Sequence, residues 1–199
     1  MSLGRPSQLN QDQKCLSYLN HKKNGYFVDI GAHDGIDLSN TYRLEKDYQW
    51  KGICVEPLTT PFEKCEKNRP NSICVNKCIY NKNGSVAFEE KPVTDGSGDM
   101  ISGICEENDK TCNKECITFT KLLEDNNAPS RMDFLSIDTE GSELEILKSL
   151  DHNKFKFDYI TCEHNYKPLR HDIKIYLENN GYSFYEENNW DDVFILSRV

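Results

Sequence analysis

No run of apolar residues in this 199-residue sequence approaches the ~20 that a membrane-crossing helix requires, and its mean hydropathy is −0.73. A transmembrane helix is excluded, and no apolar signal core opens the chain. Basic residues are in the minority, 24 Lys and Arg against 33 Asp and Glu, for a net charge of −9. A binder of nucleic acid driven mainly by phosphate contacts needs a basic face to release counterions, so that class is disfavoured. The Gly-x-Gly-x-x-Gly fingerprint of dinucleotide sites is missing. So is any Cys-x2-Cys knuckle among the nine cysteines. Without a secretion signal, those cysteines read as reduced thiols in a cytoplasmic protein.

What is present is a stretch from Tyr26 to Pro57 around which the chain is organised. Tyr26-Phe27-Val28-Asp29-Ile30-Gly31 is an apolar run breaking into a tight turn, Gly31-Ala32-His33-Asp34-Gly35, where glycine lets backbone approach a ligand. A helix entered through Asp37 or Ser39 follows, then a second apolar strand from Lys51 to Val55, then Glu56 at its tip. An adenosyl cofactor needs a carboxylate there to accept hydrogen bonds from both ribose hydroxyls, which Glu56 can supply. Asp34 would stand beside a pyrophosphate, which is electrostatically wrong for a dinucleotide. Asp29 and Asp34 suit the sulfonium and ammonium of S-adenosylmethionine. The turn therefore favours the methyl donor over a nicotinamide cofactor.

The rest of the chain continues the alternation. Residues 1–8 read as a tag remnant or linker, and 9–199 as a single domain, with the option that it belongs to a larger multidomain glycan-modifying protein. Helices are expected over Gln11 to Asn20, Thr59 to Asn68, Glu143 to Leu150 and Leu169 to Asn179. Strands are expected over Ile73 to Ile79, Asp133 to Asp138 and Phe157 to Cys162, with Asn81 to Gly84 as a hairpin turn into Ser85 to Glu89. Asp95 to Asn113 is glycine-bearing and acidic and reads as a mobile lid. Cys105, Cys112 and Cys116, in a polar loop that runs on from it, are read as surface thiols, with a disulfide or zinc ligation as the alternative; Cys54, Cys74 and Cys162 are core. His21, His152 and His171 lie in polar contexts and read as solvated. Tyr182 to Tyr185 and Val193 to Leu196 form a terminal hairpin.

The pattern predicts an α/β fold, a Rossmann-like doubly wound sheet of about seven strands with one reversed strand in a terminal antiparallel hairpin. In such sheets ligands bind beyond the carboxyl ends of the strands. Polar residues fall there in order: Asp29 and His33, then Glu56, Asn76, Asp138 with Glu140, and Glu163 with His164.

Val-Asp-Ile-Gly-Ala-His-Asp-Gly, Ser-Asn-Thr, Val-Glu-Pro, Gly-Asp-Met-x-Ser-Gly, Ser-Ile-Asp-Thr-Glu-Gly-Ser-Glu, Glu-His-Asn and Trp-Asp-Asp, taken in order, resemble the FkbM-type methyltransferases over Gly25 to Leu196. The resemblance implies a class I methyltransferase fold and S-adenosylmethionine-dependent O-methylation of a hydroxyl, usually on a sugar or polyketide. Cofactor contacts are then expected from Asp29, Gly31, His33, Asp34, Ser39, Glu56, Asn76 and Asp138. Asp138, Glu163 and His164 are the candidate catalytic groups, either as a general base or as ligands for Mg²⁺ or Mn²⁺. The acceptor is expected to be a carbohydrate or other small hydroxyl-bearing molecule, with neither nucleic acid nor membrane as partner. Plainer roles stand beside these: Asp138 as a turn cap, Glu140 interacting with the following helix N-terminus, His164 as a satisfied core histidine, and Trp190 as core or rim with at most a stacking surface. A nicotinamide-dependent oxidoreductase and a non-catalytic cofactor-binding domain are the competing functions.

Overall fold

In β1 (Tyr26–Ile30), Phe27 packs on one side of a sheet while Val28 and Ile30 pack on the other, the period-two pattern of a strand covered on both faces. β8 (Arg131–Ile137) and β9 (Lys156–Glu163) repeat it. Phe134 and Tyr159 join Phe27, whereas Leu135, Ile137, Ile160 and Cys162 join Val28. The computed structural model, which describes residues 7–91, 102–106 and 111–197, sets these strands beside β2 (Lys51–Val55), β3 (Ile73–Val75), β10 (Tyr182–Asn188) and β11 (Asp191–Leu196). They form a seven-stranded sheet in the order β10-β11-β9-β8-β1-β2-β3. β1, β2, β3, β8 and β9 pair in parallel, and β11 runs antiparallel to both its neighbours. β8 is adjacent to β1. β9 lies one strand further out.

Helices cover both faces. α1 (Gln11–Tyr18), α2 (Tyr42–Tyr48) and α3 (Thr59–Asn68) bring Cys15, Leu16, Leu44 and Cys65 to the Phe27 side. α4 (Phe119–Asp125), α5 (Glu143–Lys148) and α6 (Leu169–Asn179) bring Phe119, Leu122, Ile146, Leu147, Ile173 and Leu177 to the Val28 side. No helix among the described residues is long and apolar enough to cross a membrane.

The expected strand over Ile73 to Ile79 is two strands in two sheets. β3 stops at Val75; the next side chain, Asn76, donates from Nδ2 to the Glu56 carbonyl (2.8 Å) and anchors the chain where it leaves the sheet. β4 (Cys78–Ile79) then pairs in parallel with β7 (Thr111–Ile117). With β5 (Gly84–Glu89) and β6 (Gly103–Ile104) these make a second sheet, order β4-β7-β5-β6, around Leu58, Cys78, Val86, Phe88 and Cys116. Gly84 does not turn β4 into a hairpin with β5, because β5 pairs with β7 and β6. Of the segment expected to be a lid, 95–101 and 107–110 lie outside the described residues; the described remainder contains β6 and the start of β7 rather than irregular loop. Cys116 is accordingly a core residue of this sheet, and Cys112 is exposed. All nine cysteines, each among the described residues, are free thiols.

Two further expectations are corrected. α2 begins at Tyr42: Leu38 takes a left-handed conformation (φ 57°), and the Ser39 hydroxyl accepts from the Thr41 and Tyr42 amides (3.2 and 3.1 Å), a side-chain turn that competes with helix. His152 is buried rather than solvated. Its Nε2 lies 3.2 Å from the Leu147 carbonyl, Tyr176 and Tyr182 meet its ring edge-on, and burial pushes its pKa down to about 4. At the other end of the chain Ser7 is buried, its hydroxyl donating to Asp12 (2.5 Å), and Gln8 reaches the cavity described next.

Candidate functional site

A cavity of about 320 Å³ opens beyond the carboxyl ends of β1, β2, β8 and β9, where strand polarity in a doubly wound sheet places ligands. Backbone bonds gather its floor: Gly31 N and Ala32 N both donate to Val55 O (3.0 Å each), and Asp138 N donates to Ile30 O (3.0 Å). Gly31 sits at φ 92°, and a Cβ there would lie 1.9 Å from the Asp138 carbonyl oxygen. That crossing, more than room for a ligand, is what demands glycine at this turn.

The Glu56 carboxylate is buried and borders the cavity. Its Oε2 accepts from His33 N (2.9 Å) and its Oε1 from Leu58 N (2.8 Å), so both neighbouring loops orient it. A carboxylate offers about four lone-pair sites, so one such group can accept from backbone amides and from ligand hydroxyls together. Asp29 also lines the cavity; its Oδ2 accepts from Thr41 Oγ1 (2.6 Å), and burial raises its pKa. Gly31, His33, Ser39 and Asp138 complete the expected cofactor residues found here. Asp34 and Asn76 are not among the lining residues. Asp34 closes the turn instead, accepting from Ile36 N and Asp37 N (2.9 Å each), and Asn76 acts on the Glu56 backbone.

A residue that sequence reasoning missed holds this loop. Arg69, fully buried at the end of α3, pairs with Glu45 (Nε to Oε2, 2.7 Å) and donates to the Gly35 carbonyl, Ser39 Oγ and Thr41 Oγ1 (3.1, 3.3 and 3.0 Å). Its guanidinium also lies over the Phe27 ring at 5.1 Å. Nothing in the local sequence separates Arg69 from a solvated helix-end arginine.

Across the cavity stand three acids. Carboxylate oxygens of Asp138, Glu140 and Glu163 all lie within 4.8 Å of one another. Asp138 is exposed to the cavity and Glu163 is buried. Burial, and next the charge of Asp138, push the Glu163 pKa up to about 10; burial first, with nearby acids, raises Asp138 to about 7 despite its hydrogen bond with Glu163. The two carboxyls therefore titrate as a pair that retains a proton at neutral pH. The turn cap considered for Asp138 is supplied by Glu143, whose Oε1 accepts from Thr139 N, Thr139 Oγ1 and Gly141 N (3.2, 3.1 and 2.9 Å). Glu140, at φ 60°, is left facing the other acids, with Lys167 Nζ at 3.7 Å.

His164 is not brought to this group. It is buried outside the cavity lining, Nδ1 accepting from Tyr166 N (3.0 Å) and Nε2 lying 3.4 Å from Asp192 Oδ1, whose carboxylate Arg170 also holds (2.7 and 2.8 Å). Glu140 takes its place as the third potential ligand. The cavity is also lined by Phe88, Gly103 and Ile104 of the second sheet with Ser102 beside them, the last three within the segment expected to be a lid, and by Asn165 after β9 and Trp190 in the terminal hairpin turn. Trp190, half-buried, carried only the prospect of a stacking surface.

The sequence matches the family profile of the methyltransferase FkbM domain over residues 29–184. No curated protein sequence matches it. Among solved structures, it is similar to a precorrin-6y C5,15-methyltransferase from Geobacter metallireducens (TM-score 0.56, 13% identity, covering 94% of this chain and 87% of that one). It is also similar to a methyltransferase FkbM from Methylobacillus flagellatus (TM-score 0.54, 13% identity, 86% and 43%), of which it spans less than half. The N-terminal domain of human METTL16 gives a TM-score of 0.52 at 15% identity, over 96% and 69%. At such identities the likeness speaks to fold alone: an α/β class I methyltransferase architecture.

Proposed function

The chain belongs to the FkbM methyltransferase domain family, whose members use S-adenosylmethionine, and on that premise we propose that it methylates a hydroxyl group of a sugar or glycan. Family membership favours a methyltransferase over the nicotinamide-dependent alternative. Glu56, a buried carboxylate fixed by two backbone amides at the tip of β2, suits a ribose diol, and Asp29, Gly31, His33 and Ser39 would hold the remainder of the cofactor. Bound S-adenosylmethionine supplies an electrophilic methyl group. The chain's own residues must align the acceptor oxygen and take its proton.

The observation that carries the reading is the Asp138 and Glu163 pair at adjacent strand ends, lining the same cavity as the Gly31 turn. A sugar hydroxyl is barely acidic. Asp138, open to the cavity and raised toward neutrality, accepts its proton, while Glu163 holds the shared proton that sets Asp138's basicity. Trp190 and Asn165 on the rim offer a stacking face and amide bonds of the kind sugars use. A net charge of −9 argues against a phosphate-driven RNA acceptor. A second reading rests on the clustered oxygens of Asp138, Glu140 and Glu163, which suit Mg²⁺ or Mn²⁺; the cation would lower the hydroxyl pKa in the base's stead.

Methyl-labelled S-adenosylmethionine incubated with a panel of mono- and oligosaccharides, polyols and RNA, with products read by mass spectrometry, tests this. The expected result is label on a carbohydrate oxygen, lost in Asp138→Asn while cofactor binding persists. Label on a nucleobase or a nitrogen would overturn the proposal.

A further inference from the structure

On the far side of β2 from the Val28 core lies a group that the methyltransferase site does not use. Cys54 on β2 is in register with Cys74 on β3, and Cys65 of α3 packs over them. The three sulfurs lie within 4.8 Å of one another, with Cys65 Sγ and Cys74 Sγ 3.8 Å apart. Three sulfurs around one ion at ~2.3 Å would be about 4 Å apart, the spacing of a planar three-thiolate centre. Cys54 and Cys65 are buried, and Cys74 is partly exposed, which gives an entry path. Among the described residues no histidine or carboxylate completes the group. The donor set is all soft, and it lacks the fourth ligand that structural zinc takes.

We propose that Cys54, Cys65 and Cys74 bind one monovalent copper ion as a three-thiolate centre. Loading displaces the thiol protons and leaves a dianionic cluster, which the single positive charge of the buried Arg69 guanidinium, acting on all three sulfurs, offsets in part. None of the three cysteines lines the catalytic cavity. The ion would join α3 to β2 and β3, and α3 leads into Arg69, which holds the 35–41 segment. Binding therefore stiffens the cofactor loop from behind.

The test is a titration of Cu(I) into the fully reduced protein, carrying Cys105→Ser and Cys112→Ser to remove the two solvent-accessible thiols outside the cluster, in anaerobic competition with a bathocuproine chelator. One equivalent bound, a thiolate-to-copper absorption band, and an X-ray absorption spectrum showing three sulfur neighbours are expected. Cys74→Ser or Cys54→Ser should each weaken binding at least tenfold. Should Cys54→Ser fail to fold, the partly exposed Cys74 decides alone, with circular dichroism reporting its fold. Equal affinity in Cys74→Ser, a two-sulfur spectrum, or preferential uptake of Zn²⁺ over Cu(I) would each overturn the assignment.

Discussion

The carbonyl oxygen of Asp138 stands 1.9 Å from the point at which a Cβ on Gly31 would sit. The residue that opens the turn after β1 and the residue proposed as the base are thus packed backbone to backbone. A side chain at Gly31 would have to part β1 from β8, and its φ of 92° is strained for any L-residue. Gly31→Ala is expected to cost about 3 kcal/mol or more, since overpacking and backbone strain add. Urea unfolding measures it; a loss under about 1 kcal/mol would mean the strand ends separate easily.

Glu56→Gln keeps the size of the side chain but removes its charge and one acceptor oxygen. The amide cannot serve His33 N, Leu58 N and a ribose diol as the carboxylate does. Cofactor affinity should fall by about 1.5–3 kcal/mol, roughly tenfold or more in Kd by calorimetry. An unchanged Kd removes Glu56 from the ribose.

His164→Ala and Asp138→Asn should behave differently, although both residues lie at strand ends. Asp138→Asn is expected to lower kcat by ~10² with cofactor affinity within a few fold, the usual size of a lost general base. His164 touches Asp192 and the Tyr166 amide, not the cavity, so its removal should act mainly through stability. With Asp138 raised to about 7, kcat/KM should fall as pH drops through neutrality and the base is protonated. EDTA separates the two readings. Activity lost to EDTA and restored by Mg²⁺ or Mn²⁺ makes the three acids ligands; activity indifferent to it leaves Asp138 as the base.

His152 gives a stability window at mildly acidic pH. Its folded pKa is depressed to about 4, so between the ordinary histidine value near 6.5 and that point the unfolded chain binds a proton that the folded chain refuses. Its stabilising effect is complete above about pH 6.5 and is lost as pH falls, up to about 3 kcal/mol by pH 4. Comparing urea midpoints across that range for the wild type and His152→Phe measures it. Parallel pH profiles would show that His152 protonates in place.

The sheet was legible because its signal is local: alternation along each strand, with acids at consecutive strand ends, locates both the layers and the edge where the site lies. The second sheet was not. β6 has two residues and β4 two, too few for a period, and β4 pairs with a strand more than thirty positions away. Separation in sequence also hid Arg69, whose partners Glu45, Thr41 and Ser39 precede it by 24, 28 and 30 positions. His164 and Glu140 exchanged roles for a finer reason. At a strand's end a one-residue step reverses the direction of the side chain, so Glu163 faces the cavity and His164 turns toward the Arg170 pair.

The order of strands has a consequence for how the molecule is made. β11, the latest strand in the chain, does not join an edge; it slots between β9 and β10. While the ribosome is still short of Leu196, β9 presents an open row of amides and carbonyls, and β10 has no strand to bond to. Gln11, whose Nε2 reaches Asp191 at 2.6 Å, waits for a partner 180 positions away. A nascent chain of this kind carries a sticky sheet border until β11 has been made, and Trp190 and Glu163, on either side of that seam, take their places around the cavity when β11 docks.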